Sequence, residues 1–78
     1  MKRNIIIYTK SYCPFCIELK NFLNDSHVSF TEEEISDRPE VHQEIIERTG
    51  HDTVPAIFVD DKFVGGSEEF YEWFSRNS

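Results

Sequence analysis

Basic residues are scarce in this 78-residue chain: 8 Lys and Arg stand against 15 Asp and Glu, a net charge of −7. With no basic patch to neutralise phosphates, nucleic acid is disfavoured and is not expected as a partner. The same balance disfavours an anionic membrane surface and suits neutral or basic partners. Long apolar runs are also missing. Behind the basic Met1-Lys2-Arg3, and after Asn4, comes only Ile5-Ile6-Ile7. That is too short for a signal-peptide core or a membrane span. A cytoplasmic location is the expectation. Linkers, low-complexity stretches and internal repeats are absent as well, so the chain reads as one domain over 1–78.

Cysteine is equally sparse. The only two are Cys13 and Cys16, in Cys13-Pro14-Phe15-Cys16. A secreted disulfide scaffold would spread its cysteines to close long loops. A bridge across two intervening residues closes almost nothing and would stabilise little. The spacing therefore points to thiol chemistry in a reducing compartment. Zinc is not expected. It wants four ligands, and His27, His42 and His51 show no paired spacing; they read as solvated surface residues.

What the chain does have is apolar material: 38% hydrophobic residues and 14% aromatic, seven of them Phe. Large aromatic side chains can close a small core without disulfide staples. Residues 4–9 are β-branched and apolar, the pattern of a buried central strand. Over 14–25, Phe15, Leu19, Phe22 and Leu23 share one helical face, and Pro14 suits the first helical position. A strand with an acidic end is expected over 28–34. Asp37 then caps a second helix through Pro39 and Glu40, with Val41, Ile45 and Ile46 as its apolar face and Gly50 as its stop. Residues 54–59 form another apolar strand, Asp60-Asp61 a tight turn and 62–64 its returning partner. After Gly65-Gly66, Ser67 caps a last helix whose buried stripe is Phe70, Trp73 and Phe74. The order β-α-β-α-β-β-α predicts an α/β fold: a four-stranded mixed sheet with three helices on both faces.

Cys13 falls where the first strand ends and the first helix begins. Its sulfur would meet the unpaired N–H groups and the positive end of that helix, with Lys10 adding positive charge. Both favour thiolate over thiol. Cys16, one turn inside, lacks those donors and should be more buried. Cys13 is therefore expected to attack a disulfide, and Cys16 to resolve the mixed disulfide that forms.

Three motifs carry a resemblance over essentially the whole chain. Tyr12-Cys13-Pro14-Phe15-Cys16 after the first strand, Thr53-Val54-Pro55 before the third, and Gly65-Gly66-Ser67-Glu68-Glu69 before the last helix resemble the glutaredoxin family, within the thioredoxin fold. The resemblance implies a glutathione-dependent thiol–disulfide oxidoreductase of the dithiol type. It would have no permanently bound cofactor and would act as a monomer, with glutathione as co-substrate and disulfide-containing or glutathionylated proteins as partners. It also implies a cis bond before Pro55 and pairing of the Val54 backbone with the cysteinyl part of glutathione, with Thr53, Pro55 and Phe15 beside it. Lys10 would meet the glycine carboxylate. Gly66, Ser67 and Glu68 would hold the γ-glutamyl end, where Gly66 permits close approach and the following N–H groups can receive a carboxylate.

Two departures from the family pattern stand out. Phe15 replaces a common Tyr, and Glu68-Glu69 replaces a common Asp pair. The lack of Trp-Cys-Gly-Pro-Cys argues against a true thioredoxin. Two other roles stay open. One is a dedicated dithiol electron donor, for example to ribonucleotide reductase, recharged by thioredoxin reductase. The other is a dimer holding an iron–sulfur cluster through Cys13 and glutathione, which Cys16 and Pro14 disfavour.

Overall fold

The computed structural model describes residues 3–77; Met1 and Lys2 of the basic N-terminal triplet lie outside the described residues, as does Ser78. The elements are β1 (Ile5–Thr9), α1 (Pro14–Asp25), β2 (Thr31–Glu34), α2 (Pro39–Thr49), β3 (Ala56–Val59), β4 (Lys62–Gly65) and α3 (Ser67–Asn77). The sheet order is β2-β1-β3-β4. Strand β1 runs parallel to β2 and antiparallel to β3, and β3 is antiparallel to β4. This is the mixed four-stranded sheet expected from the element order, and the thioredoxin-like fold that the resemblance implies. Among the described residues no helix is long and apolar enough to cross a membrane.

The pleat of β1 sorts the core into two layers. Ile5 and Ile7 point to one face, where they join Ile57, Val59, Leu19, Leu23 and Phe70. Phe22, Tyr71, Trp73 and Phe74 close this layer, with Phe22 set edge-on to Phe74 at 5.3 Å. It is the layer of α1 and α3. Fully burying a side chain such as Phe70 stabilises by about 1.5–3 kcal/mol, so this aromatic side holds α1 firmly. The opposite layer is thinner: Ile35, Ile45 and Ala56, with Tyr8, Val41, Val54 and Phe63 packed against them. Here α2 covers the sheet.

Strand β1 begins at Ile5 rather than at residue 4, and β4 runs through Gly65 rather than ending at residue 64. Four further boundaries differ from the sequence expectation, each for a local reason. Strand β2 spans only Thr31–Glu34, against the 28–34 expected, and its pairing with β1 begins at Ile6–Thr31. Val28 and Phe30 instead pack on the α1/α3 core as the chain climbs from helix to sheet. Helix α2 is capped by Arg38, not Asp37, with no side-chain cap bond. Pro39 takes the first helical position, and a residue before proline is pushed out of the helical region, so Arg38 (φ −129°, ψ 69°) becomes the boundary. Strand β3 begins at Ala56 rather than Val54, since Pro55 has no N–H for the ladder. Helix α3 is capped by Gly66 rather than Ser67. The Phe70 N–H bonds the Gly66 carbonyl at 2.9 Å, and the Gly66 N–H donates to Glu69 Oε1 at 2.7 Å. This reach back from the third helical residue is half of a capping box.

The Asp60-Asp61 turn behaves as expected. Both residues take positive φ, 52° and 68°, which suits the right-handed twist of a two-residue hairpin.

Candidate active site

Cys13 is the N-cap of α1. Its carbonyl accepts the first helical bonds, from the N–H groups of Cys16 at 3.1 Å and Ile17 at 3.2 Å. With Pro14 at the first helical position, φ is preset for the helix and no N–H is wasted. The Cys13 thiol lies 3.6 Å from the Val54 carbonyl and donates to it. That contact joins the start of α1 to the segment entering β3, 41 residues later. The Val54–Pro55 peptide is cis.

The two sulfurs are not equivalent. Both cysteines are free. Cys13 keeps 8% of its surface exposed and Cys16 only 1%. Burial pushes the Cys16 thiol up to about 12 from an ordinary value of 9.0, against a backbone hydrogen bond from Lys10 that acts in the opposite sense. The neighbouring Cys13 adds to the rise. At neutral pH Cys16 is therefore held as a thiol.

Next to Cys13 opens a groove of about 440 Å3, lined by Phe15, His51, Thr53, Val54, Pro55, Gly66, Ser67, Glu68 and Glu69. This volume falls in the roughly 300–1,000 Å3 range of small-molecule sites. Three chain segments thus meet there: the start of α1, the approach to β3 and the start of α3. The first two N–H groups of α3, those of Ser67 and Glu68, have no partner within the helix. Tyr12 and Phe15 stand 74% and 62% exposed beside Cys13, an unusual position for large aromatics.

Of the residues singled out from the sequence, Phe15, Thr53, Val54, Pro55, Gly66, Ser67 and Glu68 line this groove. Cys13 is not itself a lining residue; it meets the groove's wall through its hydrogen bond to Val54, and Cys16 is buried in the protein interior. Lys10 is not among the lining residues; its carbonyl accepts a hydrogen bond from the Cys13 N–H at 3.3 Å. Among the described residues no group of three or more His, Cys, Asp and Glu side chains is placed to hold a metal ion.

Two lining residues were missed. Glu69, part of the Gly65–Glu69 motif, has no site role in the sequence reading. It closes the cap on Gly66, and its Cβ would stand 2.7 Å from any Cβ at Gly65. Gly65 also has φ 136°, so a side chain there is excluded twice over. The Gly66-x-x-Glu69 spacing was the available signal. The second is His51, read from the sequence as solvated. It is half-buried, with Nε2 3.3 Å from the Pro55 carbonyl and 3.2 Å from Thr53 Oγ1. Its position three residues before Val54 was the clue. His27 is exposed, and His42 Nε2 contacts the Asp52 carbonyl at 3.1 Å.

The family model described as Glutaredoxin matches residues 5–64. The chain is 41% identical over 73 residues to glutaredoxin 3 of Escherichia coli strain K12, covering 94% of this chain and 88% of that one. The holo form of glutaredoxin C1 from Populus tremula x tremuloides superposes with a TM-score of 0.84 at 29% identity, over 94% of this chain and 75% of the other. A buckwheat glutaredoxin–glutathione complex shares the fold, with a TM-score of 0.87 at 23% identity over 96% and 71% of the two chains.

Proposed function

This chain belongs to the glutaredoxin family of thiol–disulfide oxidoreductases, and from that premise we propose that it uses glutathione to reduce glutathionylated proteins and protein disulfides. The observation that carries the reading is the position of the Cys13 thiol, 3.6 Å from the Val54 carbonyl at the border of a groove lined by residues 53–55 and 66–69. A peptide thiol lying along Val54 would pair with its backbone as an added strand. Val54 precedes β3, so the sheet does not claim that pairing. The N–H groups opening α3 would receive a carboxylate at the other end. In the buckwheat protein the same fold is seen in complex with glutathione.

In this mechanism the Cys13 thiolate attacks the glutathione sulfur of a mixed disulfide. A new Cys13–glutathione bond forms, the old bond breaks, and the protein thiolate leaves and takes a proton. A second glutathione thiolate then attacks the bound glutathione. Oxidised glutathione departs, and Cys13 is again a thiolate. For an intramolecular protein disulfide, the Cys13 thiolate attacks one sulfur and displaces the other as a thiolate, which takes the proton of Cys16. Cys16 then attacks the Cys13 sulfur, the second protein thiolate leaves and takes a proton from water, and a Cys13–Cys16 disulfide remains. Two glutathiones then reduce it. The protein works in this scheme as a monomer in the reducing cytoplasm, with no resident cofactor.

The test is a coupled assay with a small glutathione mixed disulfide, reduced glutathione, glutathione reductase and its nicotinamide reductant. Turnover that saturates in the mixed disulfide and depends on Cys13 is the expected result. Absence of turnover with glutathione, combined with full turnover on thioredoxin reductase, would overturn the proposal and leave a dedicated dithiol donor.

A further inference from the structure

His51 touches two walls of the groove at once. It follows Gly50, whose left-handed backbone (φ 76°) ends α2. Its own N–H donates to Thr49 Oγ1 at 3.0 Å, and that hydroxyl donates to the Ile45 carbonyl at 2.8 Å. The backbone is thereby fixed before the ring begins. The ring packs on Phe63 of β4, with centroids 5.3 Å apart. Its Cε1 would lie 3.3 Å from a Cβ at Gly66, so it rests against the turn into α3. On its other side, Nε2 reaches the Pro55 carbonyl and the Thr53 hydroxyl.

The chemistry of these contacts selects one hydrogen arrangement. A carbonyl oxygen only accepts, so the Pro55 contact is a hydrogen bond when Nε2 carries its hydrogen. The same N–H is then shared with Thr53 Oγ1 as acceptor. The Thr53 hydroxyl keeps its own hydrogen, free to turn toward a ligand in the groove. With the Nδ1–H form, the Pro55 carbonyl would instead face a lone pair.

We propose that His51 is a positioning residue for the substrate: its Nε2–H clamps the Thr53–Pro55 segment against the Gly66 turn and turns the Thr53 hydroxyl outward as a donor to the glutathionyl group. The proposal rests on the glutathione reading above for the identity of the ligand. The hydrogen bonds of the His51 ring go to Pro55 and Thr53, so the clamp acts on binding rather than on the sulfur chemistry.

Two measurements test it. Long-range proton–nitrogen NMR of the free reduced protein in mildly alkaline buffer should find the His51 hydrogen on Nε2; finding it on Nδ1 overturns the clamp. Steady-state kinetics with the glutathione mixed disulfide then compare His51→Phe, which keeps a ring against Phe63 and Gly66, with His51→Gln, whose amide restores a donor. Loss of one hydrogen bond should raise KM in His51→Phe roughly three- to tenfold with kcat within about twofold, and His51→Gln should recover most of the change. A wild-type KM in His51→Phe, equal impairment of both variants, or a fall in kcat at unchanged KM each overturn the proposal. If the wild-type protein shows no turnover with glutathione, the ligand reading fails. The NMR result alone then decides whether the clamp exists.

Discussion

The mouth of α1 and the first turn inside it carry the same side chain in opposite surroundings. At the mouth, Cys13 is the cap residue and borders an open groove. One turn in, Cys16 is among the fully buried side chains and is held as a thiol. Two intervening residues, Pro14 and Phe15, separate a sulfur that keeps a little exposure from one that is fully enclosed. Sequence spacing alone therefore divides the labour: a helix rises about 1.5 Å per residue, which moves the second sulfur inward without moving it out of reach.

The largest break in that comparison is Cys13→Ser. It removes the sulfur that borders the groove, and activity on both mixed disulfides and protein disulfides should fall to the uncatalysed background. Appreciable turnover in the coupled assay would mean that Cys16 can be reached directly, against its burial. Cys16→Ser should separate the two reactions. Release of glutathione from a mixed disulfide should survive, because a second glutathione can resolve it. Reduction of an intramolecular protein disulfide should drop by on the order of a hundredfold or more, since the tethered thiol supplies the proximity. Equal loss of both activities would remove the glutathione route and favour the dedicated dithiol donor.

The smallest effect sharpens the comparison through pH. The folded state holds the Cys16 thiol up near 12, against an ordinary value of 9.0. The unfolded chain therefore releases this proton first. The contribution of neutral Cys16 to stability is fully present below about pH 9 and is lost as pH rises toward 12. Denaturant titrations of the reduced protein should show stability declining across that window. The decline should be shallower in Cys16→Ser, which has no proton to lose there. Parallel declines in the two proteins would assign the alkaline loss to other groups.

A second contrast lies across the sheet. The α1/α3 layer is rich in aromatics and holds the thiol-bearing helix, while the thinner α2 layer supports Val54 and the wall of the groove. Both layers were legible from periodicity. Leu19 and Leu23 fall on the predicted face of α1, Phe70 on that of α3 and Ile45 on that of α2. Phe15, expected on the same face of α1, stands 62% exposed at the groove instead, because the first turn of α1 projects past the sheet's end. The element order and the ends of α1 also agree with expectation. What periodicity could not supply was the ends of β2 and β3. Those depend on where a neighbouring strand offers partners, and Val28, Phe30 and Val54 are apolar enough to read as strand while serving as packing in loops.

The sequence by itself determined the chemistry of the site: two cysteines with two residues between them at a strand-to-helix junction, one of the two a proline, admit few other uses. It also determined the layers, because alternation in strands and 3.6-residue periodicity in helices are local properties of the chain. Tertiary structure decided who stands at the groove. Glu69 could be read from its capping spacing to Gly66, but His51 is an ordinary polar residue in sequence. It acquires its role because strand pairing brings residues 51–55 and 65–69 to one end of the sheet. A histidine's partner there is a carbonyl four residues away and a glycine fifteen away. No local pattern encodes that meeting, because it is set by the register of β3 between β1 and β4.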